Sequence, residues 1–172
     1  MDFEDLYHEY KSLVYNLALQ YVQNQADAEE ITQDVFLSVY KNRDSFQKRS
    51  SIKTWIYRIT INKSIDFIKS RKRIKRRFFF NAIQFNHSDD CTRYRHFNHP
   101  GVILEQKEAV KSIFDAINLL PERQKTAIIL LKIENKTQKE TALIMQCSVK
   151  SVESLYQRAK DKLSKHIKNE GK

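Results

Sequence analysis

Apolar side chains recur along this chain three and four residues apart, and the strict alternation of a half-buried strand is absent. Phe3, Leu6, Tyr7, Tyr10, Leu13, Val14, Leu17 and Tyr21 predict a helix over 3–23. A second helix is expected from Asp27, where Asp27 and Glu30 have the spacing of a capping box. Ile31, Val35 and Val39 give it one apolar stripe, with Phe36 and Tyr40 on a neighbouring face. Residues 43–50 are polar and aperiodic, which predicts a loop. A third helix runs from about Ser51 into the basic run near Arg71. It carries two apolar stripes, one through Ile52, Trp55, Ile56, Ile59 and Phe67, the other through Tyr57, Ile61, Ile65 and Ile68. A helix apolar on two sides is sandwiched, or else offers one stripe to a partner.

Periodicity is lost over 78–104, which contains Pro100 and Gly101 and reads as a flexible linker. It returns near Glu105 with Val110, Ile113, Phe114 and Ile117, in a helix ending near Leu120. Pro121 suits the first turn of the next helix, 122–134. Thr137 and Glu140 form a capping box that opens a short helix containing Ala142. Gln146 and Cys147 follow, then Ser148 as an N-cap for a last helix from Val149 to about His166. Val149, Val152, Leu155, Tyr156, Ala159 and Leu163 line one side of it; Lys150, Ser151, Ser154, Gln157 and Arg158 line the other. A short helix, a three-residue turn and a helix with a hydrogen-bonding outer face make helix-turn-helix geometry, whose second helix enters the major groove. An ordinary helical hairpin with a solvated face has the same pattern.

Composition narrows the fold further. Among 172 residues there are two glycines and two prolines, too few for a P-loop, a dinucleotide fingerprint or a series of tight hairpins. The expectation is an all-α chain of two small helical domains joined by a flexible linker, the second containing the helix-turn-helix. Two distant cysteines make no disulfide framework. The longest apolar run, Ala127–Leu131, is far short of the roughly 20 residues needed to span a bilayer, so no membrane insertion is expected. The acidic N-terminus is unlike a secretory signal, and a soluble cytoplasmic protein is expected.

Charge separates the chain into kinds of surface. The total is +10, but residues 1–47 carry −6, 48–79 carry +11, 80–120 carry −1 and 121–172 carry +6. Basic blocks attract phosphate backbones, whereas an acidic head suits a protein partner. His87, Asp89, Asp90, Cys91, His96 and His99 crowd the linker without a recognised zinc spacing, so no metal and no cofactor are assigned. No nucleophile–base pair is evident, and an enzyme has no supporting residues.

Four segments carry a resemblance to a family. ETALIMQCSVKSVESLYQRAKDKL at 140–163 resembles the promoter-reading helix-turn-helix of bacterial RNA polymerase sigma factors, and LPERQKTAIILLKIE at 120–134 resembles the helix preceding it. DAEEITQDVFLSVYKN at 27–42 resembles the polymerase-binding helix, and IKTWIYRITINKSIDFIKSRKR at 52–73 the −10 promoter helix. The short chain is similar to the extracytoplasmic-function (ECF) branch. The resemblance implies a DNA-binding initiation subunit without catalysis of its own. Residues 1–77 would bind the β′ clamp helices of core polymerase and melt the −10 element. Residues 105–172, beyond the 78–104 linker, would bind the β flap and read the −35 element.

Residue by residue, the resemblance implies core-polymerase binding by Glu30, Gln33, Asp34, Phe36 and Tyr40, although Phe36 and Tyr40 equally suit a core. It implies −10 contacts from Ser50, Lys53, Arg58, Asn62, Lys63 and Arg71, with Arg43 to Ser51 matching a loop that holds a flipped base. Trp55 is expected in the core, and Asp66 is expected to accept hydrogen bonds inside the domain. It implies −35 contacts from Ser148, Lys150, Ser151, Ser154, Gln157 and Arg158, within a helix-turn-helix spanning about 138–157. Gln146 stands where the family commonly has glycine, and Glu153 and Leu155 where many members are basic. An anti-sigma factor, commonly membrane-anchored, is the further partner that the family suggests. The rival readings are a dimeric helix-turn-helix regulator, which leaves 27–73 unexplained, and a non-specific nucleic-acid binder using 69–77.

Overall fold

Seven α-helices and one π-helical turn account for the described residues of the computed structural model, which are 2–43, 46, 50–85 and 104–170. In chain order they are α1 (Phe3–Val22), α2 (Gln25–Asn42), α3 (Ile52–Phe85), α4 (Leu104–Asn118), α5 (Glu122–Ile128), the π-turn (Ile129–Ile133), α6 (Gln138–Met145) and α7 (Val149–Glu170). No strand occurs among the described residues, so the all-α expectation holds. The chain falls into two compact units. The described residues of 1–41 and 60–98 form one; those of 42–59 and 99–172 form the other.

In the first unit, Asp2 caps α1 by accepting a hydrogen bond from the Glu4 N–H at 3.3 Å. Gln23, in the left-handed region at φ 53°, ends that helix, its N–H donating to the Leu19 carbonyl at 2.8 Å. The start of α2 differs from the expected Asp27 cap. Asn24 is the capping side chain, accepting from the Asp27 N–H at 3.0 Å, and the helix begins two residues earlier, at Gln25. Asp27 is instead buried in the first turn, where its carboxylate pairs with Arg71 of α3. Val14, Leu17 and Ala18 of α1 and Ala28, Ile31, Val35 and Val39 of α2 are essentially inaccessible. Phe3, Tyr7, Phe36 and Tyr40 join α1 to α2 by edge-on ring contacts with centroids 4.8–6.3 Å apart.

The third helix is longer than its sequence pattern predicts. It passes Arg71 and the expected end of the first domain at 77, and reaches Phe85. Arg71 to Arg77 are all exposed, so water screens the like charges, and Lys and Arg are good helix formers. No proline or glycine interrupts the chain before Pro100. The remainder of the expected linker, 86–103, lies outside the described residues. So does the whole cluster of His87, Asp89, Asp90, Cys91, His96 and His99. Among the described residues, no group of three or more His, Cys, Asp or Glu could hold a metal ion. No helix there is long and apolar enough to cross a membrane.

In the second unit, α5 and α6 pack on α7, and α4 packs on α5 and α7. Pro121 sits just before the first turn of α5 rather than inside it, its carbonyl accepting from the Lys125 N–H at 2.9 Å. Ala127–Leu130, Ala142, Ile144, Val152 and Ala159 form the core. The N-terminal end of α3 belongs to this unit as well. There Tyr57 is buried and donates its hydroxyl hydrogen bond to Glu134 Oε2 at 2.7 Å, while Lys136 Nζ lies 5.0 Å from the Tyr57 ring centroid. Burial, reinforced by the Glu134 carboxylate, pushes the Tyr57 hydroxyl well above its usual range. Trp55 is half-buried and meets the Phe46 ring at 5.1 Å, so it is a packing residue at the margin of the core.

Candidate nucleic-acid and polymerase interfaces

The helix-turn-helix forms as its capping residues predict. Thr137 Oγ1 accepts from the Glu140 N–H at 3.2 Å, and Glu140 Oε2 accepts from both the N–H and the hydroxyl of Thr137 at 2.8 Å. Those bonds, the backbone one foremost, hold the Glu140 carboxyl below its usual carboxylate range. Gln146 ends α6 at φ 51°, ψ 49°, the left-handed conformation for which many sequences use glycine. The Cys147 N–H then reaches back to the Ala142 carbonyl at 3.0 Å, which closes the turn. Ser148 caps α7 by accepting from the Ser151 N–H at 3.1 Å.

All six expected −35 residues, Ser148, Lys150, Ser151, Ser154, Gln157 and Arg158, are exposed on α7 and its cap. Val152 and Ala159, at 0 %, face the core. The six are not equivalent. The Ser148 and Ser151 hydroxyls lie 2.9 Å apart and already bond each other, which fixes the helix start. The Gln157 amide donates to Asp161 at 3.1 Å, which orients it across the outer face. Glu153 is exposed beside them, while Leu155 is half-buried, in keeping with its inner flank.

The expected −10 residues on α3 are more mixed. Lys53 and Asn62 are exposed, and Ser50 and Lys63 are half-exposed. Arg58 aims its guanidinium at the carbonyl of Leu143 in α6, donating from Nη2 at 2.6 Å and Nε at 3.2 Å. Arg71 is exposed, but its guanidinium is engaged. It stacks on the Phe67 ring with a 5.1 Å separation and pairs with Asp27. Burial raises the Asp27 pKa more than Arg71 lowers it, so the pair does not fully offset the cost of removing that carboxylate from water. Asp66 corrects an expectation. It is exposed on the solvent side, because the buried stripe of α3 runs through Thr60 and Ser64, whose hydroxyl bonds back to the Thr60 carbonyl at 2.8 Å.

On α2, Glu30, Gln33, Asp34 and Tyr40 share an exposed face. Phe36 does not: it is 4 % exposed, within the aromatic cluster with Phe3 and Tyr7. Leu37, 57 % exposed, is the apolar side chain that this face presents. The sequence holds a signal for it. Positions 30, 33, 34, 37 and 40 keep the three-and-four spacing of one helix face, and an apolar residue stands in the middle.

Residues 6–74 match the family Sigma-70 region 2, and residues 111–163 match Sigma-70, region 4. The ECF RNA polymerase sigma-E factor of Haemophilus influenzae is 30% identical over 165 residues, covering 96% of this chain and 87% of that protein. Its Escherichia coli counterpart is 27% identical over 158 residues, covering 92% and 82%. Among solved structures, the sigma factor RpoE in complex with the anti-sigma factor NepR from Bartonella quintana has a TM-score of 0.67 at 22% identity, covering 97% of each chain. CnrH in complex with the cytosolic domain of CnrY has a TM-score of 0.65 at 20% identity, covering 97% and 88%. At those identities the likeness shows the fold. The two family regions occur in order over most of the sequence, and a 30% identical relative aligns across nearly all of it; the chain belongs to the ECF family of RNA polymerase sigma factors.

Proposed function

We propose that residues 1–77 bind core RNA polymerase and melt the −10 element, and that residues 105–172 read the −35 element, with 78–104 as the link between them. The chain has no catalytic role of its own; it supplies promoter choice to the polymerase and works in the cytoplasm. The observation that carries this reading is the outer face of α7, where Lys150, Ser154, Gln157 and Arg158 are all exposed behind a fixed turn. Arginine and lysine there suit guanine edges or phosphates, and glutamine suits adenine. Glu30, Gln33, Asp34 and Tyr40, with Leu37 among them, form the polymerase-facing surface, and Phe36 supports it from beneath. Lys53, Asn62 and Lys63 act on the −10 element directly. Arg71 contributes by fixing α3 against α2, and Arg58 joins them only after leaving the Leu143 carbonyl.

An anti-sigma factor is the natural regulator, as in the complex of the RpoE neighbour with the anti-sigma factor NepR. The test is transcription of a genomic fragment library by core polymerase from the source bacterium, with and without the chain. Starts that appear only with it, and that share paired upstream elements, are expected. Core binding without new starts, or no core binding at all, would overturn the reading.

A further inference from the structure

The outer face of α7 carries one charged group that the assigned contacts leave unused. At about 100° per residue, Lys150, Ser154 and Gln157 fall within roughly 60° of arc, with Val152 and Ala159 on the opposite, buried side. Glu153 lies about 40° beyond Gln157, one turn into the helix, and is exposed. Other polar groups near it are already engaged. The Ser148 and Ser151 hydroxyls bond each other, and the Gln157 amide donates to Asp161. Glu153 has neither a hydrogen bond nor an ion pair among the described residues. It does not serve the helix start either. Ser148 is the cap, and Glu153 lies beyond the first turn, where the attraction of a helix N-terminus for an anion has faded.

A carboxylate on a surface that meets DNA is repelled by phosphate unless it finds a donor. In the major groove the bases offer two, the N4 amine of cytosine and the N6 amine of adenine. On adenine, N6 lies beside the N7 acceptor. That pair suits an amide, which both donates and accepts, and repels a carboxylate. Cytosine presents N4 with no acceptor of its own in that groove, which matches a group that only accepts. The N-terminal residues of a recognition helix are the ones that reach base edges, and Glu153 stands among them. We infer that Glu153 is a specificity-determining residue, its carboxylate accepting from N4 of one cytosine in the −35 element. The inference rests on α7 being the −35-reading helix. Glu153 also acts by exclusion: opposite guanine or thymine it faces acceptors alone, so the wrong base is penalised rather than merely unrewarded.

The test uses holoenzyme formed with the full chain, on a promoter obtained from the fragment library, with each −35 position replaced by all four bases in turn. With the wild-type chain, one position should require cytosine, other bases lowering initiation about 5–150-fold. Glu153→Ala should flatten the preference at that position alone, and Glu153→Gln should move it toward adenine. Pyrimidin-2-one lacks the N4 amine. Put in place of that cytosine, it should weaken initiation with the wild-type chain and leave Glu153→Ala nearly unaffected. Circular dichroism melting should be unchanged in both variants, because Glu153 is exposed and unpaired among the described residues. Three results would overturn the inference: no position that requires cytosine, the same base preference in wild type and both variants, or a change of equal size at every position. The last would make Glu153 a simple repeller of the backbone. In all three, starts still appear and the promoter reading stands. Absence of starts with the wild-type chain would overturn that reading, and the role of Glu153 with it.

Discussion

The two surfaces proposed to face DNA, on α3 and on α7, are built in opposite ways. On α7 the division is complete: Val152 and Ala159 are at 0 % exposure, and all six expected contact residues are exposed. On α3 the buried side holds Thr60 and Ser64 beside Ile56 and Ile61, and the half-exposed Arg71 pairs with Asp27 there. Its solvent side holds a mixture of charges, and one arginine on each side is engaged by the protein itself. A helix packed on one side shows its functional face through its hydrophobic pattern alone. A helix whose buried side uses polar groups does not, and there only the partner of each side chain distinguishes a structural arginine from an available one.

The largest effect that would break this comparison comes from the α7 core. Val152→Asp buries an unpaired carboxylate and should destabilise the second unit by about 4 kcal/mol or more, read by urea unfolding. Next come two arginines of contrasting duty. Arg71→Met leaves Asp27 buried without its partner and should cost about 1–3 kcal/mol, whereas Arg158→Met should stay within about 0.5 kcal/mol but alter −35 preference. Equal destabilisation by the two would erase the distinction between the helices. Thr137→Ala removes the capping box of α6 and should cost about 1 kcal/mol in the same unfolding measurement.

Acid should sharpen the contrast, because the two carboxylates respond with opposite sign. Burial raises Asp27 above its ordinary 3.8, so the folded chain binds that proton more tightly than the unfolded one. Its unfavourable contribution is complete above the folded pKa and is relieved as pH falls through it. Glu140 is held below its ordinary 4.5, so its stabilising contribution is present above that value and is lost as pH falls through the folded pKa. Stability curves of Asp27→Asn and Glu140→Gln against pH should therefore depart from wild type in opposite directions. The smallest effect is Gln146→Gly, where relief of a left-handed residue is partly cancelled by a more flexible unfolded chain. A gain of about 0.5 kcal/mol in thermal unfolding is expected.

Much of the second unit is legible in the sequence because its signals are local. The capping box at Thr137, the Ser148 cap and the left-handed Gln146 each act over a few residues. What was not legible depends on distant partners. Asp27 has the spacing of a cap, but Asn24 takes that role because Arg71, 44 positions away, draws Asp27 into the interior. Phe36 and Leu37 are adjacent apolar residues, and only the packing of Phe3 and Tyr7 decides which of them is buried. The end of α3 departs from its sequence pattern for another reason. Apolar periodicity stops near Arg71, yet a solvated helix of lysine and arginine needs no apolar stripe to continue. Asp66 lies near an apolar stripe in sequence, but Thr60 and Ser64 define the buried side and leave it in solvent.

The π-helical turn at Ile129–Ile133 has a consequence for how this chain can change length. In it the Glu134 N–H bonds the Ile129 carbonyl, five residues back, so the helix holds one residue more than a regular turn needs. Deleting a single residue from an ordinary helix rotates everything beyond it by about 100°. Deletion within this turn would instead restore regular winding and leave the flanking faces aligned. The segment just before α6 and α7 is thus a place where a one-residue deletion should be survivable, while the same lesion between Lys150 and Arg158 in α7 would rotate one of them away from the face they share.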